Sequence, residues 1–309
     1  MRIAILGAGG LGSYLGAVLS QAGQEVVLVA RGEHGEAVSG SGLQVHGPDG
    51  DFTAHPSCVT SASELEVIDI VFVTVKSFSL DAVAEQIRAL AETGAVVVPL
   101  LNGVDATDRL RAHGVAAGSL VDGIAYFTAF RTAPGRIERK GQHQRLVIGS
   151  LDGQSIARLS TVQDAFAGTA VHVQSTADIG PELWSKMAVV CSLAALCGIT
   201  GSSIGPIRAH PFGSDLQQRA IAEVIAVGRA VGVQIPQDTE ERVAHILNAF
   251  PDDFYPSVLH DLKSGRPTEM DSLGGVISRL GRKAGVETPL CDAATCAVRL
   301  WEDRTANRS

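Results

Sequence analysis

The sequence predicts an α/β chain in two parts, a doubly wound parallel sheet followed by an all-helical domain. Three observations carry that expectation. A strand, a glycine turn, a helix and a second strand follow one another by residue 29. Strand and helix signals then keep alternating, as a parallel sheet covered on both faces requires. Near Ala177 the strand signals stop and only helical windows remain. The boundary is therefore placed at 176, giving domains 1–176 and 177–309, and a length of 309 residues suits two cores better than one.

Each element has its own signal. Arg2 to Leu6 is a short apolar run that ends at Gly7-Ala8-Gly9-Gly10-Leu11-Gly12. A helix follows to about Ala22, with Gly23 as its stop, and Glu25 to Val29 reads as a buried strand. Leu43 to His46 and Asp51 to His55 flank Gly47-Pro48-Asp49-Gly50, a hairpin signal. Val67 to Val75 and Ala95 to Leu100 are strand runs, and Leu80 to Leu90 and Asp105 to His113 are helical. Val121 to Ile148 is β-rich, with turns expected at Pro134-Gly135 and Lys140-Gly141 and antiparallel edge strands between them. Helical windows then cover Pro181–Leu196, Asp215–Val231, Thr239–Phe250, Ser272–Ala284 and Pro289–Trp301, with Gly232 and Gly285 at C-cap positions. The polar residues after Trp301 are expected to fray.

Composition narrows the function. Hydrophobic residues make up 45% and charged residues 19%, ordinary for a globular chain. Lys and Arg number 25 against 33 Asp and Glu, a net charge of −8, which argues against nucleic acid or an anionic membrane as the partner. No run of about 18 apolar residues is present, so no membrane span is expected. Five cysteines stand at Cys58, Cys191, Cys197, Cys291 and Cys296, an odd number without a C-x-x-C pair. Reduced thiols in a cytoplasmic protein are the simplest reading. The nine histidines show no H-x-x-x-H spacing, so no metal site is expected.

The glycine turn is the strongest motif. Gly7 permits the tight turn, Gly9 lets the backbone approach a pyrophosphate, and Gly12 lets helix and strand pack closely. The helix start then presents unpaired N–H groups and the positive end of its dipole. Strand before and helix after give the motif the context of a dinucleotide site. The second strand ends in Val29-Ala30-Arg31, with no acid for ribose hydroxyls; a guanidinium there suits a 2′-phosphate, hence NADPH, although an exposed arginine at a strand end reads the same way.

Other candidates sit at the carboxyl ends of strands or in the helical half. Lys76 and Asn102 each follow a strand and would face the same crevice as the glycine turn, although a surface lysine and an Asn-Gly turn explain them too. Lys186 lies in mostly apolar helix, where partial burial lowers a lysine pKa and makes it a general acid near neutral pH; a solvated helix face is the alternative. Ser257, Asp261 and Glu269 cluster in one polar stretch, which two helix caps and a loop would also produce.

Taken together the residues resemble the ketopantoate reductases (2-dehydropantoate 2-reductases), NADPH-dependent enzymes of pantothenate biosynthesis. The resemblance rests on the glycine turn, Arg31, Thr74-Val75-Lys76, Leu101-Asn102-Gly103-Val104 and Trp184-Ser185-Lys186. It continues through Pro256-Ser257, Asp261-Leu262, Gly265-Arg266, Thr268-Glu269 and Thr288-Pro289, spanning nearly the whole chain. It implies a Rossmann domain, a helical domain and an active site between them. It also implies Lys186 as general acid, Glu269 at the reacting oxygen, Ser257 on the substrate carboxylate and Asp261 in support. Gly7, Gly9, Gly10, Leu11, Gly12, Arg31, Lys76 and Asn102 would bind NADPH, with Asn102 also facing the 2-oxo acid. A homodimer is an option.

Three positions depart from that pattern. Where the family usually carries asparagines four and eight residues after the lysine, this chain has Val190 and Ala194. Three residues before the serine, Phe254 stands where asparagine is frequent. Val190 and Ala194 share the Lys186 face of one helix, and lost amides weaken recognition of a polar substrate. A more apolar 2-oxo acid suits these residues better than ketopantoate. Another dehydrogenase or imine reductase on the same plan, or a non-catalytic NADPH sensor, are the remaining readings; a sensor has no need of Lys186 and Glu269.

Overall fold

The computed structural model describes residues 1–306. They form two compact units, Met1–Leu101 with Ala106–Ile179, and Asn102–Asp105 with the residues from Gly180 onward.

The first unit runs β1 (Arg2–Leu6), α1 (Gly10–Gln21), β2 (Glu25–Val29), α2 (Gly32–Ser41), β3 (Leu43–His46), β4 (Phe52–Ala54), β5 (Ser57–Val59), β6 (Ile70–Val73), α3 (Leu80–Glu92), β7 (Val96–Pro99), α4 (Ala106–Ala112), β8 (Asp122–Ala133), β9 (Arg136–Gly149), α5 (Leu159–Ala165) and β10 (His172–Thr176). Five strands make a wholly parallel sheet in the order β5-β2-β1-β6-β7. Its strands are mostly apolar, as a sheet covered on both faces requires. Ile3, Ile5, Ile70, Phe72, Val96 and Val98 face one core with α1. Ala4, Leu6, Val71, Val73 and Val97 face the other with α3. The parallel register places the ends of β1, β2 and β6 side by side, so that Gly7, Ala30 and Thr74 start three adjacent loops.

The remaining strands correct the expected edge strands. They form a separate sheet in the order β10-β9-β3-β4, with β8 antiparallel to β9. Its apolar face (Ile137, Leu146, Ile148) packs on the core that α1 shares. The pairing of Val45 with Ile137 joins segments far apart in sequence, which local pattern does not reveal. Pro134-Gly135 is a turn, but Lys140-Gly141 is not: β9 runs through it, and Gly141, at φ +81°, lies beside a register shift opposite Tyr126 and Thr128. The left-handed conformation serves a β-bulge here, not a chain reversal.

Asp122 opens β8 almost fully buried, its carboxylate accepting from the Thr107 hydroxyl. Burial outweighs that bond and raises its pKa from 3.8 to about 6. The folded state thus holds a proton that the unfolded chain has released, and stability falls as pH rises from about 4 to about 6. Two pH units correspond to about 3 kcal/mol as an upper figure. Asp122→Asn is expected to flatten this dependence, which chemical denaturation at pH 4, 5, 6 and 7 checks.

The second unit is helical: α6 (Gly180–Thr200), α7 (Ile204–Ala209), α8 (Gly213–Ala230), α9 (Thr239–Ala249), α10 (Ser257–Lys263), α11 (Gly274–Ala284) and α12 (Pro289–Ala306). The last helix runs past Trp301, where fraying was expected; residues 307–309 lie outside the described residues. Helix α6 is central. Trp184, Met187, Ala188, Cys191, Ala194 and Cys197 are buried in the core it shares with α8, α9 and α12. Gly228 on α8 makes room for the Trp184 ring, since a Cβ there would stand 2.6 Å from it. By length and composition α6 alone among the described helices could cross a membrane, but most of it is buried inside this unit. No uninterrupted apolar run signals it, because Glu182 and Lys186 break the pattern. All five cysteines are free; the Cys191 and Cys291 sulfurs stand 3.9 Å apart.

Candidate active site

The glycine turn has the geometry a dinucleotide needs. Gly7 has φ +107°, and a Cβ there would lie 2.5 Å from the Val75 nitrogen. The Thr74 hydroxyl donates to the Gly7 carbonyl at 2.7 Å, holding the turn from the next loop. A Cβ on Gly12 would collide with the Gly7 carbonyl and the Thr74 hydroxyl, so helix and strand pack through glycine alone. Gly9 differs: it is exposed at φ −75°, and a Cβ on it would meet nothing within 4 Å. No side chain caps α1 and no acid lies in its first turn. Gly9 therefore opens the space where a pyrophosphate would meet the helix start, and these residues fit a pyridine dinucleotide. Leu11 packs into the core beneath, and Gly10 lies under β8.

Arg31 occupies the N-cap position of α2, exposed, with its Nε donating to the Thr60 carbonyl at 2.9 Å. Lys76 is exposed at the start of a short 3-10 turn, Ser77–Ser79. These residues and the glycine turn all belong to the first unit.

The second unit gathers the other candidates: Asn102, Lys186, Val190, Ala194, Ser257, Asp261 and Glu269. Lys186 is partly buried nearly two turns into α6, and desolvation lowers its pKa from 10.5 to about 8. The negative charge of Glu269 acts against that shift, which places the two side chains in one electrostatic site. Glu269 is buried and precedes a 3-10 turn, Met270–Ser272, without capping it. Ser257 is exposed as the first residue of α10; Pro256 takes the N-cap position. Capping thus explains neither residue, contrary to the bland reading of that segment.

The loop that delivers Glu269 is fixed from both sides. The buried Asp261 carboxylate accepts from Arg266 Nε at 2.9 Å and from a terminal nitrogen at 2.8 Å. Glu302 accepts from the Thr268 backbone N–H at 2.6 Å. Asn102 arrives on a turn whose Gly103, at φ +109°, leaves room for the Ser272 carbonyl; a Cβ would stand 2.8 Å from it. The roles of Glu302 and Ser272 had no sequence signal, because both are supports from distant segments.

The departures divide. Val190 keeps some exposure, whereas Ala194 is fully buried in the helical core and presents no surface. Phe254 stacks on Phe250 with ring centroids 4.2 Å apart. Among the described residues no cluster of His, Cys, Asp or Glu could hold a metal ion.

Comparison with known proteins agrees with this arrangement. Residues 3–153 match the family described as ketopantoate reductase PanE/ApbA, and residues 178–302 match its C-terminal domain. A 2-dehydropantoate 2-reductase of Caulobacter vibrioides is 32% identical over 290 residues, covering 93% of this chain and 94% of its own. The crystal structure of a PanE/ApbA family ketopantoate reductase from Ralstonia eutropha is 30% identical with a TM-score of 0.88, covering 99% of this chain and all of its own. The ternary structure of a D-mandelate dehydrogenase with NADH and anilino(oxo)acetate is 28% identical with a TM-score of 0.89, at the same coverage. With matched domains over both units and relatives along its whole length, the chain belongs to the ketopantoate reductase family.

Proposed function

We propose that the protein reduces a 2-oxo acid to the 2-hydroxy acid with NADPH, and that its substrate carries a more apolar tail than ketopantoate. The partly desolvated Lys186 beside Glu269 carries the reading. When bound, the reduced nicotinamide supplies a hydride to C2 of the substrate. Lys186 donates a proton to the carbonyl oxygen as charge develops there. With a pKa of about 8 it is roughly nine-tenths protonated at pH 7, yet gives up that proton readily. Glu269 holds the ammonium form, and Asp261, through Arg266, positions the loop that carries Glu269. Ser257 and Asn102 offer polar groups to the substrate carboxylate.

The apolar preference is supported by Val190 and by the Phe250–Phe254 stack three residues before Ser257. A structural relative named for mandelate, an aryl 2-hydroxy acid, supports this preference. NADPH oxidation with ketopantoate, 2-oxoisovalerate and phenylglyoxylate tests it; a wild-type preference for ketopantoate overturns it. Val190→Asn is expected to shift kcat/KM toward ketopantoate by about tenfold. Asparagine at 194 is a poorer probe, because an amide there would enter a closed apolar core.

Ketopantoate itself is the second reading. It is supported by the relatives named 2-dehydropantoate 2-reductase and would place the protein in pantothenate biosynthesis. Stoichiometric NADPH binding without oxidation across the panel would instead favour a sensor.

A further inference from the structure

We propose that Arg131, on the hairpin formed by β8 and β9, is a second cationic ligand for the 2′-phosphate of NADPH, alongside Arg31. The inference rests on the NADPH reading above and adds a residue from a different sheet.

The hairpin lies across the nucleotide-facing starts of both α1 and α2. At one end, a Cβ on Gly10 would collide with the Ala129 carbonyl and stand 2.9 Å from Phe130 Cα. Ala129 and its neighbours therefore touch the first turn of α1, beside Gly9. At the other end, the Gly135 N–H donates to His34 Nδ1 at 3.0 Å, and a Cβ on Gly135 would lie 3.2 Å from that of Ala37. The hairpin tip thus rests on the first turns of α2, just past Arg31.

Arg131 sits between these two anchors. Side chains two apart along a strand share a face. Phe127 and Ala129, on the Arg131 face, pack toward α1, and Phe127 meets the Tyr14 ring edge-on at 5.6 Å. The positive charge of Arg131 is felt at His34, where it adds to burial in holding the imidazole pKa below 6.5. Since Nδ1 accepts from Gly135, the neutral ring carries its proton on Nε2 and donates to Ser13 Oγ at 3.1 Å. His34 so ties hairpin, α1 and α2 together, four residues along the hairpin from Arg131. Arg131 is exposed, and no carboxylate pairs with it among the described residues.

The hairpin and the start of α2 therefore present two exposed guanidinium groups, from Arg131 and Arg31, with Glu33 and Glu36 as the exposed carboxylates of α2. Two guanidinium groups suit a phosphate dianion better than a ribose hydroxyl, because each binds phosphate through paired, charge-assisted hydrogen bonds.

Steady-state kinetics with NADPH and with NADH, for wild type, Arg31→Ala, Arg131→Ala, Arg131→Lys and the double alanine variant, decide the matter. Arg131→Ala is expected to raise KM for NADPH by about tenfold or more, with kcat and the NADH parameters unchanged. Arg131→Lys is expected to recover part of the loss, and thermal unfolding is expected to match wild type. An unchanged KM for NADPH overturns the proposal, as does an equal loss with both nucleotides, which would make Arg131 a support of the hairpin. The two readings separate cleanly. If wild type does not prefer NADPH and Arg31→Ala changes nothing, the cofactor reading itself fails and Arg131 falls with it. If Arg31→Ala abolishes a clear NADPH preference while Arg131→Ala does not, Arg131 alone is wrong.

Discussion

Lys186→Met is expected to lower kcat for 2-oxo acid reduction by about 10²–10⁴-fold, the usual worth of a positioned proton donor. The pH dependence gives a sharper signature. Reduction needs the ammonium form, so its rate is expected to fall as pH rises through about 8. Oxidation of the hydroxy acid needs the free amine and is expected to rise over the same range. Glu269→Gln removes the charge that supports the ammonium, so the break moves to lower pH. Because the two groups interact, the observed midpoint belongs to the pair. Rate profiles in both directions from pH 6 to 10 test this. A reductive profile flat to pH 10, or a Lys186→Met variant keeping more than a tenth of its turnover, would place the proton elsewhere. Methionine leaves Glu269 buried without its partner, so the Lys186→Met, Glu269→Gln double variant serves as the control for stability.

Gly9→Ala is expected to fold as wild type and to bind nucleotide about 10–100-fold more weakly. Its φ of −75° is open to any residue, and the added methyl meets no protein atom. Only a ligand drawn close to that backbone would feel it, and each charged hydrogen bond lost costs about 1.5–3 kcal/mol. Gly12→Ala provides the contrast. Its methyl would strike the Gly7 carbonyl inside the helix–strand contact, so destabilisation of about 1–3 kcal/mol is expected as well as lost binding. Thermal unfolding beside fluorescence titration with NADPH separates the two outcomes. Undiminished binding by Gly9→Ala would remove the glycine turn from the nucleotide site.

What sequence reveals here follows the range of the interactions. The unit from β1 to β2 is local and announced by its own residues. So is α6, whose single lysine among apolar neighbours marks the candidate proton donor. The second sheet was hidden because Gln44–His46 pairs with Arg136–Glu138, and no local period reports such a partner. β10 was missed because His172–Thr176 alternates weakly and is mostly exposed. Gly141 misled because a left-handed glycine serves bulges and turns alike. At the candidate site, the motifs supplied the candidate side chains. Their supports, Glu302 beneath Thr268 and Ser272 beside Gly103, become visible only once the chain is folded.

The short stretch Asn102–Asp105 groups with the helical unit although it interrupts the chain of the other. A chimaera spliced at residue 179, taking its first half from a relative, would import a foreign version of this stretch against a resident Ser272 carbonyl. Exchange of halves between relatives would therefore disturb the Gly103–Ser272 packing even when the whole of α6 is retained. Recombination that respects the fold must carry these four residues with the downstream partner, as a second, smaller crossover.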